Sequence, residues 1–162
     1  MRKLPLLILL IALFPFLAFN LYSLDKCYFL CPINYKGDLI VRSDYRGNGY
    51  FASPRSGRRL HQGIDLLAPL GTPVMAARSG RVIFAKARKG MGNYVVIRHK
   101  NGIVTIYGHL DRIYTRAGAF VRQGDIIGSV GKTGNARYSG IESHLHFEVR
   151  KNNKAIDPLN YL

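Results

Sequence analysis

Four of the five histidines in this 162-residue chain lie in three short clusters of polar side chains. The clusters are His61-Gln62-Gly63-Ile64-Asp65, Tyr107-Gly108-His109-Leu110 and His144-Leu145-His146-Phe147-Glu148. Imidazole and carboxylate groups are side chains that bind metal ions and transfer protons in enzymes. The clusters are therefore the first candidates for a functional site.

The spacing within the clusters places the polar side chains on common faces. Alternate side chains of a strand point the same way, so His144 and His146 project from one face together with Glu148, and the apolar residues between them face the core. His61 and Asp65 also share a face, whether their segment is extended or makes one helical turn. Both geometries permit the two residues to bind one ion.

These side chains suit a zinc ion. Zn²⁺ binds imidazole nitrogen and carboxylate oxygen, and three protein ligands with an open fourth position are typical of catalytic zinc sites. His61, Asp65 and one histidine of the third cluster supply that number. The other histidine of that cluster and His109 are expected to lie beside the ion without binding it. Glu148 is expected to support a ligand or to face solvent.

The chain resembles the lysostaphin-type (LytM-like) zinc metalloendopeptidases, which hydrolyse peptidoglycan peptides, over about residues 53 to 162. The motifs that carry the resemblance are His61-Gln62-Gly63-Ile64-Asp65-Leu66, Gly71-Thr72-Pro73-Val74, Tyr107-Gly108-His109-Leu110, Ile127-Gly128, Thr133-Gly134 and His144-Leu145-His146-Phe147-Glu148. The resemblance implies a β-sheet fold with a groove over the sheet, one Zn²⁺ per domain and peptidoglycan as substrate. The segment from Asn135 to Ser143 is longer than the family's usual link, which leaves substrate preference open.

The resemblance also implies a role for each residue of the three catalytic motifs. His61, Asp65 and His146 correspond to zinc ligands, and His109 and His144 correspond to the catalytic pair. A bound Zn²⁺ lowers the pKa of water and polarises the scissile carbonyl. Since the chain has no His-Glu-x-x-His motif, His109 or His144 is expected to accept the proton of that water. The other would stabilise the developing oxyanion or orient the water.

The rest of the sequence predicts an all-β domain that would position these residues. Fourteen of the 17 glycines lie between Gly57 and Gly140, where they separate short runs rich in Val, Ile, Tyr and Phe. No long helical period occurs there, so we expect an antiparallel β-sandwich or a partly open barrel. The candidate strands are His61 to Leu66, Pro73 to Ala76, Gly80 to Ala87, Tyr94 to His99, Ile103 to His109, Gly118 to Val121, Ile126 to Val130 and His144 to Arg150.

Three local expectations follow from these runs. Lys100-Asn101-Gly102 is expected to form a hairpin turn, since Asn-Gly readily adopts positive φ angles. Tyr107 shares a predicted strand face with His109, so its hydroxyl is expected to reach the same pocket and to contact the substrate or transition state. His99 has no ligand partner among its neighbours in sequence and is expected to be a packed or surface residue.

The first 24 residues predict a membrane segment. Met1-Arg2-Lys3 is followed by 21 residues without a charge, Leu4 to Leu24. This length favours an uncleaved anchor over a cleaved export signal. Either form predicts export. With the peptidoglycan substrate that the resemblance implies, the expected location is the bacterial cell envelope, in the periplasm or at the outer face of the inner membrane.

The segment after it predicts a juxtamembrane connector, residues 25–52, that leads to the metallopeptidase domain, residues 53–162. The connector is expected to contain one strand at Asp38 to Val41 and a turn at Arg46-Gly47-Asn48-Gly49. It also contains Cys27 and Cys31, the only two cysteines. A disulfide and two thiols are both open for this pair.

A formal net charge of +15 predicts an anionic partner. Nucleic acid, phospholipid and cell-wall polymers all fit such a field, but predicted export and the candidate ligand set count against nucleic acid. We therefore expect a zinc metalloendopeptidase that acts on cross-links or stem peptides of peptidoglycan among anionic envelope polymers. The alternative is a non-catalytic envelope-binding or hydrolase-activating module of the same fold. Loss of metal ligands would mark that alternative, and none is lost.

Overall fold

The computed structural model describes residues 25, 28–34, 38–55 and 57–162. These residues form strands and two 3₁₀ turns but no α-helix, so the all-β prediction is confirmed. The strands are β1 (Ser43–Asp44), β2 (Gly47–Asn48), β3 (Pro54–Arg55), β4 (Arg59–Leu60), β5 (Ile64–Leu67), β6 (Pro73–Met75), β7 (Gly80–Arg88), β8 (Gly92–Arg98), β9 (Ile103–Ile113), β10 (Phe120–Val121), β11 (Ile126–Val130), β12 (His144–Lys151) and β13 (Lys154–Ile156), and the turns are Gly134–Arg137 and Pro158–Asn160.

The described part of the chain contains no helix with the length and apolar character needed to cross a bilayer. The predicted membrane segment, residues 1–24, lies outside the described residues. Cys27 also lies outside them, so the redox state of the cysteine pair stays a prediction.

Nine strands, β5 to β13, form one antiparallel sheet that divides at β9. One edge of β9 pairs with β8, and the other edge pairs first with β12 and then with β11. The change of partner falls at His109, between the last β12 pair at Gly108 and the first β11 pair at Leu110. The far edge of β12 pairs with β5, where His146 is opposite Asp65. The sheet thus brings the three sequence clusters side by side.

The backbone changes direction at the point where the sheet divides. His109 has a φ of 60°, a left-handed conformation that few residues other than glycine adopt. The pairing of β9 with its neighbour β8 contains a β-bulge at this point. Val95 pairs with Tyr107, but the next pair, two residues along β8 and three along β9, joins Asn93 to Leu110. A bulge adds one residue to one strand and reverses its alternation of side chains. Tyr107 and His109 therefore do not share a face.

The core lies on one side of β12, and the polar residues of the third cluster lie on the other. The fully buried residues of this region are Leu145, Phe147 and Val149 of β12 with Ile64 and Leu66 of β5. Burying each such side chain contributes about 1.5–3 kcal/mol. A shift of β12 by one residue would expose these side chains and bury His144 and His146 in the core, so burial fixes the register. The predicted alternation along β12 is confirmed.

Two of the hairpins turn through positive φ angles at asparagine. Asn101 and Gly102 have φ angles of 59° and 69°, as the Asn-Gly pair predicted. A second hairpin joins β12 to β13 through Asn152 and Asn153, whose φ angles are 50° and 65°. The sequence analysis missed β13 because it took only Asn-Gly as a turn signal, although asparagine also tolerates this conformation.

Residues 41–50, which we call the strap, run beside β5. Val41 bridges Leu66, and this bridge is all that the structure has of the strand predicted at Asp38 to Val41. Further along, β1 and β2 form a hairpin that turns at Tyr45 and Arg46, so Gly47 and Asn48, which were predicted to lie in the turn, instead form β2. The strap therefore packs on the sheet next to the first histidine cluster.

Candidate active site

Three donor atoms from the first and third clusters meet at the floor of a groove. The distance from His61 Nε2 to His146 Nδ1 is 3.0 Å, and from His61 Nε2 to Asp65 Oδ1 it is 3.1 Å. Asp65 Oδ1 lies 2.9 Å from His146 Nδ1. All three residues are buried. The structure thus brings the three predicted ligands into a compact triangle able to hold one metal ion.

The second ring nitrogen of each histidine in this triangle has an acceptor outside it. His61 Nδ1 lies 2.9 Å from the carbonyl oxygen of Tyr50, and His146 Nε2 lies 3.0 Å from Oε1 of Glu148. A ring nitrogen that donates to a carbonyl or carboxylate carries the proton, so the inward nitrogen of the neutral ring keeps its lone pair. These bonds would leave the inward nitrogens free for a metal ion when the rings are neutral; without an ion, His146 is protonated and its Nδ1 donates to Asp65 Oδ1.

His109 and His144 lie beside the triangle and are oriented in the same way. His109 Nδ1 lies 2.9 Å from the carbonyl oxygen of Thr133, and His144 Nδ1 lies 2.7 Å from that of Glu142. Their ring centroids are 5.1 Å apart, and His144 Nε2 is 3.9 Å from Asp65 Oδ1. Each neutral ring therefore presents an unprotonated Nε2 to the site.

Burial and neighbouring charges separate the protonation states of these groups. Burial, reinforced by the charges of His146 and His144, lowers the pKa of His109 to about 3. Burial also lowers the pKa of His144. Burial acts to lower the pKa of His146 too, but its hydrogen bonds to Asp65 and Glu148 raise that pKa to about 9. The two rings beside the triangle are therefore neutral near neutral pH, in the form that accepts a proton.

The outer oxygen of Asp65 is held by arginines. Arg42 Nη2 donates to Asp65 Oδ2 over 2.9 Å, and Arg55 Nη2 lies 3.4 Å from the same oxygen. Burial acts to raise the pKa of Asp65, but hydrogen bonds from His146 and His61 hold it far below its ordinary value. Asp65 is therefore an anion that offers only Oδ1 to the histidines.

The triangle opens into a groove of about 770 Å³. Five basic and two acidic residues line it: Arg42, Arg46, Arg55, Arg59 and Lys89, and Asp65 and Glu148. Both acids already contact arginines, since Arg150 Nε donates to Glu148 Oε2 over 2.7 Å. The charge of the groove therefore favours an anionic ligand.

The long segment from Asn135 to Ser143 borders this groove. Asn135, Tyr138 and Ile141 contribute to its lining. Tyr45 from the β1–β2 hairpin donates a hydrogen bond of 2.6 Å to the carbonyl oxygen of Ser139. The segment is thus tied to the strap beside the site.

The expectation for Tyr107 is wrong. Its side chain is fully buried, and its hydroxyl accepts a 2.8 Å hydrogen bond from the backbone N–H of Ala77 and one of 3.0 Å from the Thr105 hydroxyl. The bulge before His109 turns the tyrosine into the core while the histidine faces the groove. His99 is also buried, with Nδ1 3.0 Å from the Ser79 carbonyl oxygen, which confirms it as a packed residue.

Sequence reasoning missed the two strap residues that support the triangle, Arg42 and Tyr50. Arg42 is buried in a segment that was read as a connector. The one signal in the sequence was the pair Arg42 and Asp44, two residues apart and of opposite charge, which would share a strand face. Tyr50 acts through its carbonyl oxygen. Every residue has a carbonyl group, so the pattern of side chains cannot predict which one accepts a hydrogen bond from His61.

A groove on a β-sheet that combines a His-Asp-His triangle with two further inward-facing imidazoles has the composition of a metallopeptidase site. The chain belongs to peptidase family M23, and the match to that family covers residues 59–158. The resemblance drawn from the sequence motifs is therefore confirmed.

Two curated relatives show what the chain is similar to. It is 46% identical over 102 residues to the DD-carboxypeptidase/endopeptidase Mpg of Neisseria meningitidis serogroup B, a match that covers 63% of this chain and 23% of that protein. It is 36% identical over 143 residues to the peptidoglycan DD-endopeptidase ShyB of Vibrio cholerae, covering 88% of this chain and 30% of that protein. The chain thus spans less than a third of the length of either relative.

A solved structure supports the fold. The catalytic domain of the antimicrobial peptidase lysostaphin from Staphylococcus simulans is similar with a TM-score of 0.61 and 33% sequence identity. The similarity covers 73% of this chain and 91% of that chain. The chain is therefore similar to nearly the whole of that catalytic domain.

Proposed function

We propose that this chain is a zinc-dependent endopeptidase that hydrolyses peptide cross-links or stem peptides of cell-wall peptidoglycan. The observation that carries the proposal is the common orientation of four imidazoles. In each ring one nitrogen is bonded to an acceptor outside the site, and the other is left for the site itself. Membership of peptidase family M23 and the similarity to a peptidoglycan endopeptidase support the substrate class.

The residues of the triangle fit a zinc ion. His61 through Nε2, Asp65 through Oδ1 and His146 through Nδ1 would hold it, and two neutral nitrogens with one anionic oxygen match the donors that Zn²⁺ prefers. Bound there, Zn²⁺ supplies a Lewis acid for the peptide carbonyl and lowers the pKa of a water molecule. Glu148 fixes the ring of His146, and Arg42 occupies the oxygen of Asp65 that faces away.

His109 and His144 would carry the protons of the reaction. One of the two accepts the proton of the attacking water at Nε2, and the resulting imidazolium is stabilised through Nδ1 by a backbone carbonyl, that of Thr133 or Glu142. It then returns the proton to the leaving amine. The other ring also has an unprotonated Nε2, so it would accept a hydrogen bond from the water and orient it for attack.

The proposed setting is the bacterial cell envelope. The peptidoglycan endopeptidase among the relatives supports this location, and residues 1–24 would anchor the domain of residues 53–162 to the membrane. The net charge of +15 would hold the chain near anionic envelope polymers. Steep loss of wall binding with added salt is the expected result, and binding that does not depend on salt contradicts this part of the proposal.

The alternative, a non-catalytic envelope-binding or hydrolase-activating module, has less support. Such a module needs no proton-carrying residues, yet His109 and His144 are both held beside the triangle in an orientation suited to proton transfer. The groove is also open enough to take a peptide. We therefore favour the enzyme.

The purified protein should be incubated with peptidoglycan, with and without a chelator, and the released fragments identified by mass spectrometry. We expect chelation to stop release and added zinc to restore it. His61→Ala and His146→Ala should lose the metal, whereas His109→Ala should keep it and lose turnover. Loss of metal in all three variants would contradict the division of roles, and release that a chelator does not affect would contradict the zinc mechanism.

A further inference from the structure

We propose that the strap, residues 41–50, is part of the active site, and that Arg42 is a positioning residue that directs Oδ1 of Asp65 toward the two histidines of the triangle. The inference rests on the proposed metal function. It concerns residues that precede the family match at 59–158, so membership of the family does not assign them a role.

The side chain of Arg42 acts on one oxygen of Asp65. The arginine is 5% exposed, and its Nη2 donates to Asp65 Oδ2 over 2.9 Å. Its Nη1 donates to Asp44, which lies two residues further along the strap. A guanidinium has a rigid, planar set of donors, so two anchored carboxylates fix its orientation. The orientation of Arg42 in turn fixes that of Asp65.

The main chain of the strap holds Asp65 from the same side. The N–H of Arg42 donates to the carbonyl oxygen of Asp65 over 2.8 Å, and the N–H of Asp65 donates to the carbonyl oxygen of Gly49 over 2.9 Å. The strap also closes on itself, because the N–H of Gly49 donates to the carbonyl oxygen of Arg42 over 2.7 Å. Both backbone groups of Asp65 are thus bonded to the strap, and the shorter of the two arginine contacts to its carboxylate also comes from the strap, through Arg42.

Close packing at Gly49 shows how tightly the strap is seated. A Cβ atom at this position would lie 2.8 Å from the Cβ of Asp65 and 2.8 Å from the carbonyl oxygen of Arg42. Only glycine permits this approach. The next residue, Tyr50, supplies the carbonyl oxygen that accepts from His61 Nδ1 over 2.9 Å. The strap therefore supports two of the three residues of the triangle.

The expected consequence is a change in metal affinity. Without Arg42, only the longer contact of Arg55 Nη2, 3.4 Å from Oδ2, restrains the carboxylate of Asp65, so the donor triangle is less firmly formed in advance. Groups that orient a metal ligand typically alter metal affinity or activity about 10- to 100-fold when they are removed. We expect Arg42→Met to weaken zinc binding by a factor in this range.

The test measures the zinc dissociation constant of the full chain by competition with a chromophoric chelator, and checks folding by circular dichroism. Arg42→Lys should recover part of the affinity, since it restores one charged donor without the planar pair that serves both carboxylates. Gly49→Ala keeps every side chain of the site but displaces the strap from Asp65. It should also weaken binding if the strap positions that carboxylate.

Arg78→Met is the matched control. Like Arg42, whose buried Nε has no hydrogen-bond partner, Arg78 has a buried Nη1 without one. Arg78 also contacts a carboxylate, with its Nε 3.3 Å from Asp25. It is absent from the groove lining. Its removal should change the stability of the protein but leave the zinc dissociation constant within twofold.

The outcomes separate the two proposals. A wild-type protein that binds no zinc contradicts the proposed function. A wild-type protein that binds zinc, with folded Arg42→Met binding within twofold of it, overturns the positioning role alone. Should Arg42→Met fail to fold, Arg42→Lys and Gly49→Ala decide, and unchanged affinity in both overturns the inference.

Discussion

Replacing His109 by alanine and by glycine separates its proposed chemistry from the strain of its backbone. Both substitutions remove the imidazole that lies 5.1 Å from the ring of His144. A positioned acid or base contributes about 10²- to 10⁴-fold to a rate, so kcat on peptidoglycan fragments should fall by a factor in that range in both variants. Zinc affinity should change little, because His109 is not in the donor triangle.

The two variants should differ in stability. His109 has a φ of 60°, a conformation that costs a residue with a Cβ roughly 1–2 kcal/mol and that glycine adopts freely. Glycine also has greater conformational entropy than alanine in the unfolded chain, which destabilises the glycine variant and offsets about 0.4–1 kcal/mol of this advantage. The glycine variant should therefore be more stable than the alanine variant by roughly 0.8 kcal/mol, the difference between the midpoints of these two ranges. For a domain of this size, that is about 1–4 °C in the melting temperature.

Turnover, zinc dissociation constants and melting curves of the two zinc-loaded variants test these expectations together. The N–H of His109 donates to the carbonyl oxygen of Met91 over 2.9 Å, and both substitutions retain that bond. If either variant keeps wild-type turnover, His109 is not a proton carrier. If the alanine variant melts at or above the temperature of the glycine variant, the backbone strain at the division of the sheet has been misjudged.

Three further predictions concern other parts of the protein. Glu148→Gln keeps an acceptor for His146 but removes the negative charge of the carboxylate. Zinc affinity, measured by chelator competition, should fall roughly tenfold. A change below twofold would show that Glu148 does not support His146 as a ligand. Burial lowers the pKa of His99 below 6.5. The buried neutral ring therefore contributes fully to the free energy of unfolding above about pH 6.5. This contribution is lost as the pH falls, because the unfolded chain then takes up a proton more readily than the folded one. Urea unfolding at several pH values should therefore show a weaker loss of stability on acidification in His99→Gln than in the wild type, and identical slopes would refute this. Arg46 lies in the groove lining, so Arg46→Gln should raise KM for peptides with free carboxylates more than for their amidated forms, an effect that added salt should reduce, and an equal change for both would argue against charge recognition.

The sequence predicted best where the pattern is local. The alternation of His144, His146 and Glu148 with buried apolar residues is a property of one strand, and β12 follows it. The Asn101-Gly102 turn is likewise set by the conformations open to two residues. Residue chemistry grouped His61 and Asp65 with one histidine of the third cluster, and the family resemblance indicated His146. The structure brings the donor atoms of these three residues together.

The errors lie where one strand interacts with two others. Alternation along β9 predicted that Tyr107 faces the groove, but the chain adds a residue between Tyr107 and Leu110 as it passes from β12 to β11. The predicted strand also ended at His109, whereas β9 continues to Ile113. The sequence of one strand does not show that the strand paired with it changes from β12 to β11 halfway along.

Residue chemistry and periodicity alone thus indicate a small set of side chains that could bind a metal or transfer protons, and which strand faces are apolar, whereas the family resemblance divided that set into ligands and proton carriers. They do not show that Arg42 and the carbonyl oxygen of Tyr50 complete the site, or that the main chain at His109 takes a left-handed turn to aim its ring. Those features depend on contacts between segments far apart in the chain. Their geometry is set by the packing of the whole sheet, whereas the alternation of a strand is set by neighbouring residues.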